Sequence, residues 1–233
     1  MADSPDVQVR VLEALESAHN YNRWLADLTL PYLGDDPIEA GSGLGTSASL
    51  WLERGVPSIT VSEPTPEGSA QLRKRFEGET RVVVAQVDLT DAPSGEHSAC
   101  VALNVLEHVD DHIAALRGAL RLVRPGGNVV MFVPAFQFAE GRFDRMIGHY
   151  RRYTRRSLAD AFERAGVRPL SVQYVNAPGL VAWFVAVRLL GRVPREGRRL
   201  RVWDKLVVPV VRRAEGRWSP PFGQSLLAIG QAR

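Results

Sequence analysis

A single cysteine, Cys100, stands among 233 residues, so the chain can form no disulfide within itself. It sits in the apolar run 99–103, where the expected role is that of a small buried hydrophobe. A reducing, cytoplasmic setting fits this cysteine usage. Long apolar runs are missing as well: the longest, 180–190, has 11 residues and contains Arg188, well short of the ~20 needed to cross a bilayer. Positions 1–6 are polar and acidic rather than basic and then apolar, which argues against a signal peptide. Repeats and low-complexity tracts are absent. What is present is ordinary for a folded chain, with 45% hydrophobic and 24% charged residues, 20 Gly and 15 Pro. That composition excludes disorder and collagen and leaves one large domain with an elaboration as the expectation.

The net charge of +3 hides an asymmetry. Between Arg188 and Arg217 ten Arg and Lys face three acidic residues, a net +7, so the remainder carries −4. Such a segment, with Leu, Val and Trp203 interleaved, suits an anionic lipid, a phosphorylated substrate or nucleic acid, or is simply a solvated basic face.

Apolar periodicity alternates along the chain. Positions 7–33 read as helical, with a polar interruption at 17–22. Short strands are expected at 37–40, 58–61, 81–87, 98–103, 128–133, 170–175 and 225–229. Helices are expected at 46–54, 67–76, 110–123 and 154–165. This order implies right-handed βαβ units in a doubly wound, mostly parallel α/β sheet, whose ligands bind beyond the carboxyl ends of the strands.

The residues just after each strand are therefore the informative ones. The first strand runs into Glu39-Ala40-Gly41-Ser42-Gly43-Leu44-Gly45, where glycines let the backbone turn tightly and approach a ligand. A dinucleotide fingerprint from Gly41 requires Gly or Ala at 46, which is Thr46, and Glu39 would repel a pyrophosphate. A cationic ligand suits this loop better. The second strand ends at Glu63, whose carboxylate can accept from both ribose hydroxyls. The third ends at Asp88-Leu89, an acceptor and an apolar contact suited to adenine, and the fourth at Asn104-Val105-Leu106-Glu107-His108. Four strand ends thus deliver polar groups to one rim.

These motifs, with Leu122-Val123-Arg124-Pro125-Gly126-Gly127 before the fifth strand, resemble the class I S-adenosylmethionine-dependent methyltransferases over about positions 35–175. Gly148-His149-Tyr150-Arg151-Arg152-Tyr153-Thr154 and Phe222-Gly223-Gln224-Ser225 resemble a bacterial subgroup of these enzymes. The resemblance implies a Rossmann-like seven-stranded sheet with an antiparallel last strand and S-adenosylmethionine as cofactor. It places Gly41, Ser42, Gly43 and Gly45 along the methionine part and Glu39 near its amino group. Glu63 would hold the ribose, Asp88 and Leu89 the adenine, and Asn104 with Val105 the sulfonium side. Positions 1–34 would form an N-terminal helical cap, with Tyr21 over the cofactor and Trp24 in core packing. Positions 176–221 would be a helical insertion over the substrate side, before the last strand.

Methyl transfer from a sulfonium is an in-line displacement, so the protein mainly aligns the acceptor and excludes water. His149, Tyr150 and Tyr153 are candidates for positioning the acceptor or removing its proton, and His108 is a second candidate base; the alternative is that this loop is merely pinned to the sheet. His108 and His112, four apart beside Glu107, Asp110 and Asp111, raise a metal site. No metal is expected, because the methyltransferase pattern already accounts for this stretch. The expected acceptor is a small molecule, apolar or anionic, methylated on oxygen or nitrogen. The basic and apolar insertion favours a lipid-linked or quinone-like acceptor with peripheral membrane contact as the alternative, and a non-catalytic cofactor-binding scaffold is the rival from another class. Nucleic acid is disfavoured by the lack of an Asn-Pro-Pro-Tyr or Asp-Pro-Pro-Tyr tetrapeptide after the fourth strand.

Overall fold

The computed structural model describes residues 17–191 and 197–233. The first half of the expected N-terminal helix and positions 192–196 of the basic segment lie outside the described residues.

Seven strands form one sheet in the order β3-β2-β1-β4-β5-β7-β6. They are β1 (Ile38–Ala40), β2 (Ile59–Glu63), β3 (Val82–Gln86), β4 (His97–Leu103), β5 (Val123–Pro134), β6 (Arg168–Val175) and β7 (Ser225–Gln231). The first five run parallel, and β7 is antiparallel to both β5 and β6. Strands β1 and β4 are buried along their length, as their near-continuous Ile, Ala and Val demand of a sheet covered on both faces. Strand β3 alternates toward exposure, with Val83 60% accessible, as an edge permits. Cys100 is fully buried, and burial pushes its thiol up to about 12, so it behaves as a core atom.

Helices α1 (His19–Thr29), α2 (Thr46–Glu53), α3 (Pro66–Arg75), α4 (His112–Arg121), α5 (Arg142–Met146) and α6 (Arg155–Ala165) come before β6. Their ends follow from local chemistry. Thr65 accepts from the Gly68 amide to start α3, Asp111 from Ala114 to start α4, and Thr154 exchanges bonds with Ser157 in a capping box on α6. Gly166 closes α6 in the left-handed region.

One boundary differs from the sequence expectation. Helix α4 stops at Arg121, and Val123 already pairs with His97, so the Arg124–Gly127 turn is an excursion inside β5 rather than a loop before it. The register shift between His97 and Ala99 absorbs it, and Gly126, at φ +77°, supplies the left-handed step.

Between β6 and β7 the chain forms α7 (Ala177–Trp183) running into a π-helical segment (Phe184–Leu189), then α8 (Arg198–Val202), a second π-helical segment (Trp203–Val207) and α9 (Val208–Glu215). Val208 and Val211 of α9 are buried in the same cluster as Trp24 and Leu25 of α1. Asp204, only 4% exposed, accepts from the Asn20 and Tyr21 amides and so caps α1, which has no side-chain cap of its own. Asp27 of α1 is gripped by Arg54 of α2 and Arg212 of α9, each at 2.5 Å. Glu215 accepts from Asn176 and Ala177 at the head of α7. The N-terminal helix and the insertion therefore form one layer. Gly223 is required where this layer rejoins the sheet, since a Cβ there would lie 2.4 Å from the Val175 carbonyl oxygen. Among the described residues no helix is long and apolar enough to cross a membrane.

Candidate active site

The C-terminal ends of the parallel strands gather two polar groups of different character. The first surrounds the glycine loop after β1. Gly41, Gly43 and Gly45 have φ of +70°, +55° and +75°, a region that costs a side-chain-bearing residue roughly 1–2 kcal/mol. The loop is fastened to β2: the Ser42 amide donates to the Ser62 carbonyl at 2.9 Å, and the hydroxyls of Ser42 and Ser62 both donate to the Glu39 carbonyl. A Cβ on Gly41 would meet Val105 at 2.5 Å, so the loops after β1 and β4 touch.

Glu39 is 2% exposed, and its Oε2 has no hydrogen-bond partner. Burial raises its carboxyl to about 8, Glu63 adds to the rise, and the Ser42 and Ser47 hydroxyls oppose it. Glu63 accepts from the Gly43 amide at 2.5 Å, and burial lifts its carboxyl as well. Glu39, Glu63 and the glycine loop are thus brought together as expected neighbours. Asn104, at φ +55°, is exposed at the same rim, with its amide held by the Phe132 carbonyl. Asp88 is exposed, and one of its oxygens accepts from the Thr90 amide and hydroxyl at 2.8 Å.

Leu89 departs from its expected place. It is 5% exposed and packs in the core with Ala115 and Leu116 rather than offering a face to a ligand. Tyr21 also points elsewhere than expected. Its hydroxyl lies beside Ser225 at the start of β7, and burial pushes its pKa up to about 12. This hydroxyl thus sits at the β7 end of the rim, next to the residue that pairs with Pro134 of β5.

The second group follows β4 and β5. Asp144 on α5 is fully buried and accepts from four donors: the Gly141 amide at 2.8 Å, Nε and Nη2 of Arg152 at 2.8 and 2.6 Å, and Nδ1 of His149 at 3.0 Å. Burial pushes this carboxyl up, but His149, Arg152 and the Gly141 amide together hold it below the ordinary aspartate range. Because a carboxylate only accepts, His149 turns an N–H at Nδ1 to Asp144, and Nε2 is the ring nitrogen left to face Glu107. That Nε2 lies 4.0 Å from Oε1 of Glu107, a side chain with no exposure and no hydrogen-bond partner on either oxygen. Burial raises Glu107 to about 8, while the Arg152 charge opposes the rise. The His108 and His149 rings meet edge to face with centroids 4.5 Å apart, and burial, with His149 beside it, lowers His108 to about 4.

His112 takes no part in this group. Its Nδ1 sits 3.0 Å from the Tyr153 hydroxyl, so the pair His108–His112 read from spacing is split between two environments. Tyr153, expected at the rim, is 1% exposed with its hydroxyl between His112 and the Leu106 carbonyl; it is a core residue. Tyr150 is 58% exposed, with Arg151 over its ring. Arg151 clamps the turn after β4 through the Val109 and Asp110 carbonyls. The sequence reading passed over Asp144 and treated Glu107 only as part of a motif. The available signal was an aspartate five positions before His149, a reach that a turn and a half of helix provides.

The family model described as "Methyltransferase domain" matches residues 13–172, more than half of the chain. An uncharacterized methyltransferase of Mycobacterium tuberculosis is 29% identical over 143 residues, 60% of this chain and 56% of that protein. The chain thus spans about half the length of the curated relatives it matches. Among solved structures, geranyl diphosphate C-methyltransferase from Streptomyces coelicolor A3(2), held with Mg2+, geranyl diphosphate and S-adenosyl-L-homocysteine, superposes with a TM-score of 0.62 at 13% identity, covering 90% of this chain and 77% of that one. The [4+2]-cyclase SpnF superposes with a TM-score of 0.59 at 19% identity over 90% and 80% of the two chains. By the extent of the family match the chain belongs to the methyltransferase-domain family, and its seven-stranded sheet with an antiparallel β7 is the one that its strand-end motifs imply.

Proposed function

We propose that the protein transfers a methyl group from S-adenosylmethionine to an oxygen or nitrogen of a small molecule that is apolar or anionic. The observation that carries this reading is Glu39, a buried carboxylate with an orphaned oxygen beside three left-handed glycines and 24 positions before Glu63 in sequence. Such an oxygen lacks a cation, and the cofactor's amino group is one. Bound there, S-adenosylmethionine supplies a methyl group on a sulfonium sulfur whose positive charge disappears on transfer.

The chain's own residues would do the rest. Glu63, which now accepts from the Gly43 amide, would hold the ribose hydroxyls; Asp88, with one oxygen on Thr90, would have the other for the adenine amino group; and Asn104 with Val105 would line the sulfonium side. On the acceptor side His149, held in orientation by Asp144, positions the attacking atom. An amine with a free lone pair needs only that alignment, whereas a hydroxyl must also give up its proton. The basic balance of the insertion supports an acceptor with negative charge, although the cleft of about 640 Å3 beside the start of α1 mixes His19, Arg201 and Lys205 with the carboxylate of Asp204. The geranyl diphosphate of the fold neighbour joins the same two characters, apolar and anionic.

A second reading, a lipid-linked acceptor met at a membrane surface, is favoured by two exposed apolar stripes. Val181, Val185 and Leu189 are 45–63% exposed, and Val202, Leu206 and Val210 are 47–67% exposed, each set at four-residue spacing on one helical face. Arg201 and Lys205 alternate with the second stripe.

Titration calorimetry with S-adenosylmethionine and S-adenosylhomocysteine, with NAD as control, tests the cofactor. Micromolar binding of the first two alone supports the proposal, and binding of NAD instead overturns it. Turnover is then sought with hydroxylated and amino metabolites and with polyprenyl lipids. Cofactor binding without turnover on either set favours the scaffold role.

Glu39 makes a pH prediction. Below about pH 8 its carboxyl is largely protonated in the free protein, yet pairing with a cationic amino group favours the carboxylate. Binding therefore releases a proton there, and affinity should climb by up to about tenfold per pH unit between pH 6 and 8, then level off. Glu39→Gln should bind more weakly and lose this slope. An identical slope in wild type and variant would show that Glu39 does not meet the amino group.

A further inference from the structure

Glu107, His108 and His149 each present one ligand atom, and these atoms lie within 4.8 Å of one another. The three come from two loops some forty positions apart, after β4 and after β5. Charge accounting singles the group out. Arg152 matches Asp144 one for one across a 2.6 Å contact, and Asp144 also satisfies Nδ1 of His149. Glu107 has no such direct contact: it is wholly buried with no hydrogen bond to either oxygen, feels the Arg152 charge only from a distance, and has Nε2 of His149 at 4.0 Å. A buried carboxylate in this condition wants a cation.

From this geometry we infer that Glu107, His108 and His149 form a binding site for a divalent metal ion of the zinc class, with Asp144 orienting His149 from behind. Two imidazoles and one carboxylate are the donor set of catalytic zinc and related borderline metals rather than of magnesium or calcium, which take oxygen. A carboxylate on the far nitrogen of a ligating histidine is the usual device that fixes its tautomer, and Asp144 stands there at 3.0 Å. Ligand atoms around a tetrahedral zinc are about 3.3 Å apart, so the loops need to draw in by about 1 Å or a little more. His108, half-buried, leaves a side open. Three protein ligands would leave a fourth position for a ligand from outside the chain. It suits an acceptor that carries a hydroxyl, phenol or carboxylate oxygen, an assignment that rests on the methyltransferase reading above.

The test is a zinc titration of the full chain after chelator treatment, followed by competition with a chromophoric chelator, with the visible absorption of Co2+ as an independent signature of the ligand set. Wild type should take one equivalent at submicromolar affinity. His108→Ala, His149→Ala and Glu107→Gln should each weaken it at least tenfold, whereas His112→Gln, on a residue outside the cluster, should not. Folding of each variant is checked by circular dichroism, and Asp144→Asn, which keeps the shape of the side chain, should weaken zinc without abolishing it. Absence of stoichiometric binding, or binding that these substitutions leave unchanged, overturns the site. Affinity for S-adenosylmethionine is measured on the same samples. Its loss in wild type with zinc binding intact defeats the methyltransferase reading and leaves the metal site standing, and the converse result removes only the metal.

Discussion

Arg152→Met should lower folding stability by about 3–5 kcal/mol, because it strips the cation from a buried ion pair and leaves the other charge in place. The Arg152 side chain is 2% exposed and Asp144 is not exposed at all. The guanidinium does four things at once: Nε and Nη2 hold Oδ1 of Asp144, Nη1 donates to the Ala135 carbonyl at 3.2 Å, and the plane lies 5.0 Å from the Trp183 ring centroid. Arg152→Lys keeps the charge but offers a point in place of a fork, so it should recover only part of the loss. The double replacement Asp144→Leu with Arg152→Met should be milder than the single change, since no orphaned charge remains. Urea unfolding monitored by tryptophan fluorescence measures all three. A loss below about 1 kcal/mol in the single variant would mean that water reaches Asp144 and the pair is not a buried one.

Gly118→Ala should cost about 1–3 kcal/mol or more and should also weaken the cofactor, although residue 118 touches no ligand. A Cβ at 118 would lie 1.7 Å from the Leu89 carbonyl oxygen and 2.8 Å from its carbon. Both partners are backbone, so nothing short of lifting α4 or displacing the 88–92 turn relieves the clash. That turn carries Asp88, the residue assigned to the adenine. Stability and affinity for S-adenosylmethionine should therefore fall together, the latter by at least about tenfold through misplacement of the contact. Gly197→Ala, where a Cβ meets nothing within 4 Å, is the control and should change neither. A stable Gly118→Ala protein with full affinity would show that α4 has room to move away from the turn.

The contrast between Leu89 and Asp144 shows what the sequence makes legible. Alternating strand and helix periods, and the glycine loop at 41–45, are local patterns, and the sheet follows from them with boundaries shifted by a few positions. The proposed cofactor side is legible for the same reason: each of Glu39, Glu63, Asp88 and Asn104 lies within two residues of the carboxyl end of a parallel strand, and those ends share an edge by construction. Leu89 was misread because a hydrophobic residue after a strand can face either a ligand or α4, and only the close approach of Gly118 decides. Asp144 and Glu107 were illegible as site residues because their meaning comes from each other. A buried carboxylate declares itself through what surrounds it, and His108 arrives from the turn after β4 whereas His149 and Arg152 come from the loop after α5. Tyr153 and His112 fail in the opposite direction, polar residues near the motif that turn inward and satisfy one another.

The cap that Asp204 places on α1 also sets an order of assembly. The amides of Asn20 and Tyr21 find their acceptor 184 and 183 positions further along the chain. During synthesis, at ~5–20 residues per second, α1 leaves the ribosome some ten seconds or more before its cap exists. A lone helix of eleven residues is marginal in water. The layer that α1 forms with the insertion is therefore completed only after β1 to β6 have been made, with β7 alone still to follow, and the glycine-loop edge of the sheet is older than the cap.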